Sequence, residues 1–312
     1  MEILSDLQNG ECGKITYNSS SPFEIHHILC KLESIVKHPV FGILTLPEKG
    51  SGPFPCVVAC HGSRGWVEHH QEHMNNWLKA GIAVFRIHSF ESRNVISIVE
   101  DQMSVTYAMM LCDSFEALKL LYTHPKIDSR KIAISGWSLG GTVALYSAWS
   151  PISETLAPNG ERFAAHLPIY PAAHIRPDVQ CWENAPIKIL HGDIDDYTPL
   201  NLVYGLIDVT KECADVEVIV YENSHHSFDS KEPLTWSPNA IKLDERTVQI
   251  DSDGNMWGEI EKGLRIPLNE PFERKIAFQY AMNFGAHFGG NEITRKRVME
   301  DSKNYLIELF NF

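Results

Sequence analysis

A serine set between glycines, a cluster of aspartates and a pair of histidines carry the groups that could do chemistry in this chain. Ser138 stands in "GWSLGG", Asp193, Asp195 and Asp196 in "HGDIDDYTP", and His225 and His226 in "YENSHHSF". A serine hydroxyl near its own pKa is a poor nucleophile, so it needs an imidazole to take its proton and a third group to orient that imidazole. The chain supplies serine, acid and histidine in that order, each just past a short apolar run. Such a set suits attack on a carbonyl carbon through an acyl-enzyme. The G-x-S-x-G pattern alone proves little, and the elements around it must decide whether Ser138 is a nucleophile or a turn residue.

Those elements have the texture of a parallel sheet. "FPCVVACHG", "GIAVFRIHS", "KIAISGW", "IKILHG" and "VEVIVYE" are apolar runs without clean alternation, ending in glycine or polar residues and mostly separated by helical stretches. Ser138 then falls at the carboxyl end of a strand, where functional groups collect in such sheets. Gly136 and Gly140 permit a tight strand-to-helix turn there, and the N–H of Leu139 points to where a carbonyl oxygen would develop charge. The longest helix is expected within "EDQMSVTYAMMLCDSFEALKLLYTHP", with Met103, Tyr107, Met110, Phe115, Leu118 and Leu121 as packing residues and a stop before Pro125. "IHHILCKLES" and "VFGILTLPE" read as an N-terminal antiparallel hairpin. The whole of 1–312 is expected to be a single domain, with an irregular insertion at about 229–290 before an amphipathic C-terminal helix.

Composition narrows the partners. Lys and Arg number 27 against 40 Asp and Glu, a net charge of −13 that repels phosphate backbones and anionic membranes, so neither nucleic acid nor membrane is expected. No apolar run reaches the roughly 18 residues of a membrane span. The start, "MEILSDLQNGECGK", has acidic residues where a secretory peptide carries positive ones, which predicts a cytoplasmic protein. The seven cysteines are an odd number without a C-x-x-C pair, which favours buried reduced thiols over a disulfide framework, and Cys56 and Cys60 share one face of a strand.

With "HGSRG" after an early strand, "GWSLGG", "HGDIDDYTP" and "YENSHHSF" together, the chain resembles the α/β-hydrolase superfamily and, within it, the dienelactone hydrolase branch, over roughly residues 40 to 228. The resemblance implies an α/β-hydrolase fold: a mostly parallel, doubly wound sheet with an antiparallel hairpin leading it. It implies Ser138 as nucleophile, Asp195 as the acid of the "GxxD" turn counted from Gly192, and His226 as the histidine of the H-x-F ending. Dienelactone hydrolases use a cysteine nucleophile, so their own lactone substrate is not carried over. The acidic residue usual at the end of the "GIAVFR" strand is His88 here, so pocket chemistry is not carried over at that position either.

The expected activity is hydrolysis of a small-molecule carboxylic ester, lactone or thioester, with no cofactor and no metal. The N–H of Ser63 is the candidate second oxyanion donor, with Leu139 the first. The same triad would also serve short peptides or acyl transfer to a second alcohol or amine, and a hydrolase-like binding protein would keep the shell without turnover. Arg64, Trp137, Glu91 and Arg93 lie on loops expected to border the cleft as substrate contacts. His61 is read as a loop brace. "EHHQEH" places His69 and His73 one helical turn apart, but it lacks the H-E-x-x-H order and reads as a hydrated helix face. Thr198 before Pro199 suits a helix N-cap. Composition and pattern set no oligomeric state.

Overall fold

The computed structural model describes residues 2–261, 263–281 and 283–311. Met1, Lys262, Met282 and Phe312, which belong to the expected domain and in two cases to its insertion, lie outside the described residues.

The main sheet has eight strands: β1 (Gly13–Ser19), β2 (His38–Thr45), β3 (Phe54–Cys60), β4 (Ala83–Ile87), β5 (Ile127–Trp137), β6 (Ala165–Ile169), β8 (Ile187–Gly192) and β9 (Val216–Tyr221). A short β7 (Ile175–Pro177) stands outside it. Their spatial order is β1-β2-β4-β3-β5-β6-β8-β9. Strand β2 is antiparallel to both its neighbours, and every pair from β4 onward to β9 is parallel. Helices cover both faces, so successive residues of a central strand are buried on opposite sides. In β3, Cys56, Val58 and Cys60 join the core beneath one layer of helices while Val57 and Ala59 join the other. That two-sided burial is why these strands read as unbroken apolar runs. Burial pushes the Cys56 and Cys60 thiols up, Cys60 to about 12.

The helices are α1 (Ile25–Lys31), α2 (Glu68–Lys79), α3 (Tyr107–Thr123), α4 (Leu139–Tyr146), α5 (Ser150–Leu156), α6 (Leu200–Thr210), α7 (Pro271–Ala281) and α8 (Glu292–Phe310). Helix α3 begins where the Thr106 hydroxyl accepts the N–H of Met109, so Met103 lies in the preceding loop. Helix α8 opens on Asn291, whose side chain accepts from Ile293 and Thr294. No helix among the described residues is long and apolar enough to cross a membrane.

Three expectations need correction. The antiparallel pair at the N-terminus is β1 with β2, not 25–34 with 40–48. Residues 25–31 instead form α1, because Ile25 and Ile28 bury one helical face, whereas a strand would have put His27 on the same face as Ile25 and Leu29. The 229–290 segment is not irregular. It holds β10 (Thr235–Lys242), paired antiparallel with β14 (Asn283–Phe288), and a second sheet in which β11 (Val248–Ile250) pairs with β7 and with β12 (Met256–Glu261), which pairs with β13 (Leu264–Pro267). These strands and α7 form a roof over one end of the main sheet. The seven cysteines are all free, but Cys12, Cys30 and Cys181 are exposed rather than buried.

Candidate active site

The turn that carries Ser138 is built by what its neighbours lack. Ser138 has φ 55° and ψ −113°, a conformation rare for a residue with a side chain. It is held by its N–H, which donates to Ile169 O, and by α4 starting at the next residue. A Cβ on Gly140 would meet Cys60 O at 2.1 Å and one on Gly136 would meet Gly140 O at 2.4 Å, so the strand and helix can approach only as glycines. Ser138 is thereby lifted beyond the carboxyl end of β5.

Loops after β8 and β9 bring the partners to it. Ser138 Oγ lies 2.9 Å from His226 Nε2, and His226 Nδ1 lies 2.7 Å from Asp195 Oδ2. The tautomer that serves this chain of contacts has Ser138 donating to Nε2 and Nδ1–H donating to the carboxylate. Asp195 Oδ1 accepts the backbone N–H groups of Tyr197 and Thr198, both at 2.9 Å, and Oδ2 also accepts the Thr198 hydroxyl at 3.0 Å. Thr198 is therefore not a helix cap; its hydroxyl braces the Asp195 carboxylate, and α6 starts after Pro199. Burial alone would raise the Asp195 carboxyl, but the His226 charge and hydrogen bond, His191 and the Thr198 N–H outweigh it and lower the pKa. Tyr170 and Tyr197 pack edge-on against the imidazole, with ring centroids 4.6 and 4.8 Å away. All three side chains sit in residues under a tenth exposed: Ser138 7%, Asp195 5% and His226 2%.

Of the alternatives, Asp193 caps the neighbouring turn by accepting from Ser224 N–H, and Asp196 points away to His287. His225 lies beside His287 rather than Ser138. The N–H groups of Leu139 and Ser63 meet no backbone acceptor among the described residues. The loop bearing Ser63 closes on Ser138, since a Cβ on Gly62 would lie 3.2 Å from Trp137 O and 3.5 Å from Ser138 Cβ.

A cavity of about 230 Å³ opens from Ser138, with Ser63, Leu139, Thr142 and Tyr197 on the core side and roof residues such as Leu243, Met256, Leu268 and Phe278 opposite. Its walls are mainly apolar. At one place they are not: Arg274 pairs with Glu24, which also accepts the Tyr107 hydroxyl. Burial pulls the Arg274 guanidinium down to about 9. A second space of about 30 Å³ lies on the other side of Ser138, beside Arg64, Tyr170, His226 and Phe288.

The expected substrate contacts fare unevenly. Arg64 borders the smaller space, but its guanidinium is engaged by Glu232. Trp137 lines the same space yet is fully buried, stacked on His70 and donating through Nε1 to Asp229. Arg93 faces the protein interior, where it donates to both oxygens of buried Asp113, at 2.8 and 3.0 Å, because that carboxylate needs a compensating charge. Glu91 lies on the outer side of the same turn, 3.0 Å from His88 Nδ1, and neither residue lines a cavity at Ser138. His88 itself stacks on Phe41. His61 is fully buried against Phe90 and Trp66, a brace as expected, with burial pulling its pKa down to about 4.

The "EHHQEH" helix face is not hydrated. His69, His70 and His73 are buried, and Asp229 is the reason. This fully buried carboxylate accepts from Tyr170 Oη at 2.8 Å and Trp137 Nε1 at 3.1 Å, and it lies 3.1 Å from His73 Nε2. Burial would raise its pKa; the charges of His69 and His73 and the hydrogen bond from His73 lower it well below the usual carboxylate range. Asp229 thus ties together the residue before Ser138 and a ring that flanks His226. Tyr197, Tyr170, Asp229, Glu24 and Arg274 were not read from the sequence. Tyr197 carried a signal there by adjoining the aspartate cluster, and Asp229 by following "YENSHHSF" directly.

Residues 41–248 match the sequence profile of the Dienelactone hydrolase family. A protein from Klebsiella pneumoniae subsp. pneumoniae MGH 78578, assigned as a dienelactone hydrolase, is 18% identical with a TM-score of 0.51, covering 69% of this chain and 88% of its own. Esterase 2 of Thermogutta terrifontis is similar in its tabun-phosphoramylated form, 15% identical with a TM-score of 0.49 over 61% and 81% of the two chains. Its propionate-bound form is 17% identical with a TM-score of 0.48 over 62% and 81%. No curated protein matches the chain. The match spans two thirds of the sequence, and the strand order and elbow agree with it; the chain is an α/β-hydrolase-fold carboxylic ester hydrolase and belongs to the dienelactone hydrolase family.

Proposed function

We propose that this hydrolase cleaves small-molecule carboxylic esters through an acyl-enzyme formed on Ser138. The observation that carries the reading is the unbroken contact from Ser138 Oγ through His226 to Asp195, 2.9 and 2.7 Å, within a site opening on an apolar cavity. As Oγ attacks the ester carbonyl, its proton passes to His226 Nε2, and the carbonyl oxygen becomes an anion facing the N–H groups of Leu139 and Ser63. Asp195 holds Nδ1–H and stabilises the imidazolium without taking its proton. Collapse breaks the ester C–O bond, and Nε2–H protonates the departing alcohol. Water then enters, gives a proton to Nε2 and attacks the acyl carbon, so that acid leaves and Ser138 regains its hydrogen.

The cavity is shaped by the roof, and its mainly apolar wall with the Glu24–Arg274–Tyr107 group suits an acyl or alcohol portion that is hydrophobic with a polar substituent. A chain-length series of p-nitrophenyl esters, run on the parent protein and on Ser138→Ala, tests the reading. The parent should turn over with burst kinetics and be inactivated by a fluorophosphonate, with neither effect in Ser138→Ala. Equal rates in the two proteins would remove the mechanism. One-to-one labelling of the parent without multiple turnover would replace it by ligand binding.

A further inference from the structure

Beside the catalytic contacts, on their solvent side, stands a second group of metal-competent side chains that the hydrolytic reading does not use. We propose that Asp196, His225 and His287 form a site for a divalent transition-metal ion of the zinc class, which fastens the roof strand β14 to the two loops that carry Asp195 and His226. One donor atom from each residue lies within 4.8 Å of the other two. The arrangement is partly held in advance. Asp196 Oδ1 accepts the His287 backbone N–H at 2.9 Å, which fixes the carboxylate, and Oδ2 lies 2.8 Å from His287 Nδ1. The His287 ring packs against those of Trp236 and His225, both tilted to it, with centroids 4.8 and 4.9 Å away. His225 Nδ1 is shielded from solvent and has no hydrogen-bond partner.

Two imidazoles with one carboxylate favour zinc, nickel or copper over magnesium and calcium, which take all-oxygen shells. Bond lengths of about 2.0–2.2 Å put tetrahedral donors roughly 3.3 Å apart, so the ion would replace the hydrogen between His287 and Asp196 and draw the His225 ring inward. Water completes the shell, since Asp196 and His287 are about a third exposed or more. The three ligands belong to the β8 loop, the β9 loop and β14, so the ion cross-links roof to core next to the catalytic acid and base. Scattered through the sequence, they make no short motif.

Zinc binding is measured by titration calorimetry on the full chain, freed of metal by chelation, in both the parent and Ser138→Ala forms. Because binding needs no turnover, the result is independent of the hydrolytic reading. The expected result is one saturable zinc site in both forms, none for magnesium, and at least tenfold weaker binding in His287→Gln and in His225→Gln. Cobalt added to the unmutated chain should give the visible absorption of a nitrogen-ligated ion, and zinc should raise Tm more in the parent than in either variant. No saturable zinc binding, or unchanged affinity in both variants, overturns the proposal.

Discussion

The rim of the main sheet and the roof above it are built by opposite rules. At the rim, Ser138, Asp195 and His226 are nearly sealed, and each is held by backbone hydrogen bonds, glycine-only contacts or flanking rings. In the roof, Trp236, Leu264, Phe272, Tyr280 and Phe284 are all more than half exposed, and its two small sheets have only two and four strands. The rim fixes atoms to within hydrogen-bonding tolerance, as chemistry demands. The roof supplies most of the opposite wall of the cavity, and it touches the rim through Phe288, whose ring lies 5.5 Å from that of His226. Reaction type should therefore follow the rim and substrate preference the roof.

The strongest test of that division is loss of the relay. Ser138→Ala or His226→Ala should each lower kcat by about 10⁶-fold, with the double variant hardly worse, because the two act as a unit. Ester turnover under single-turnover and steady-state conditions measures it; additive losses would show that they do not. Asp195→Asn keeps the shape but presents an amide where a carboxylate must hold Nδ1–H, and kcat should fall by about 10⁴-fold. A drop in KM alone would place Asp195 outside the relay.

The seam between the two regions comes next. Arg274→Met in the roof leaves Glu24 buried without its cation, which should cost about 3–5 kcal/mol in urea denaturation. Turnover of short esters should change far less than in the rim variants, while preference along the ester series shifts. Acid should then weaken the core. His61 and His166 are buried, with pKa values pulled down to about 4, so between pH 6.5 and 4 the unfolded chain binds more protons than the folded one. The contribution is fully present above pH 6.5 and shrinks as pH falls towards 4, by up to about 3 kcal/mol per histidine. A denaturation midpoint constant from pH 7 to 4.5 would contradict this. Smallest of all is Arg64→Ala, which removes an exposed pair with Glu232 and should change stability by about 0.5 kcal/mol or less. A large loss of kcat there would move Arg64 into the catalytic site.

The sequence by itself determined the parallel core and singled out the serine, aspartate and histidine that the fold brings together. Runs such as "FPCVVACHG" and "KIAISGW" read as buried strands because both their faces are covered, and "GWSLGG" marked its elbow because no other residue type permits that approach of strand and helix. Local pattern reaches that far. It failed at Ile25–Lys31, where a seven-residue helix and a short strand look alike, and across 229–290, whose small half-exposed strands have no period to read. Arg93 turning inward to Asp113, the "EHHQEH" histidines closing on Asp229, and Glu24 meeting Arg274 are contacts between distant segments. Only the tertiary structure decided them, since a buried charge takes whichever partner the fold brings near, and that partner's place in the chain leaves no local trace.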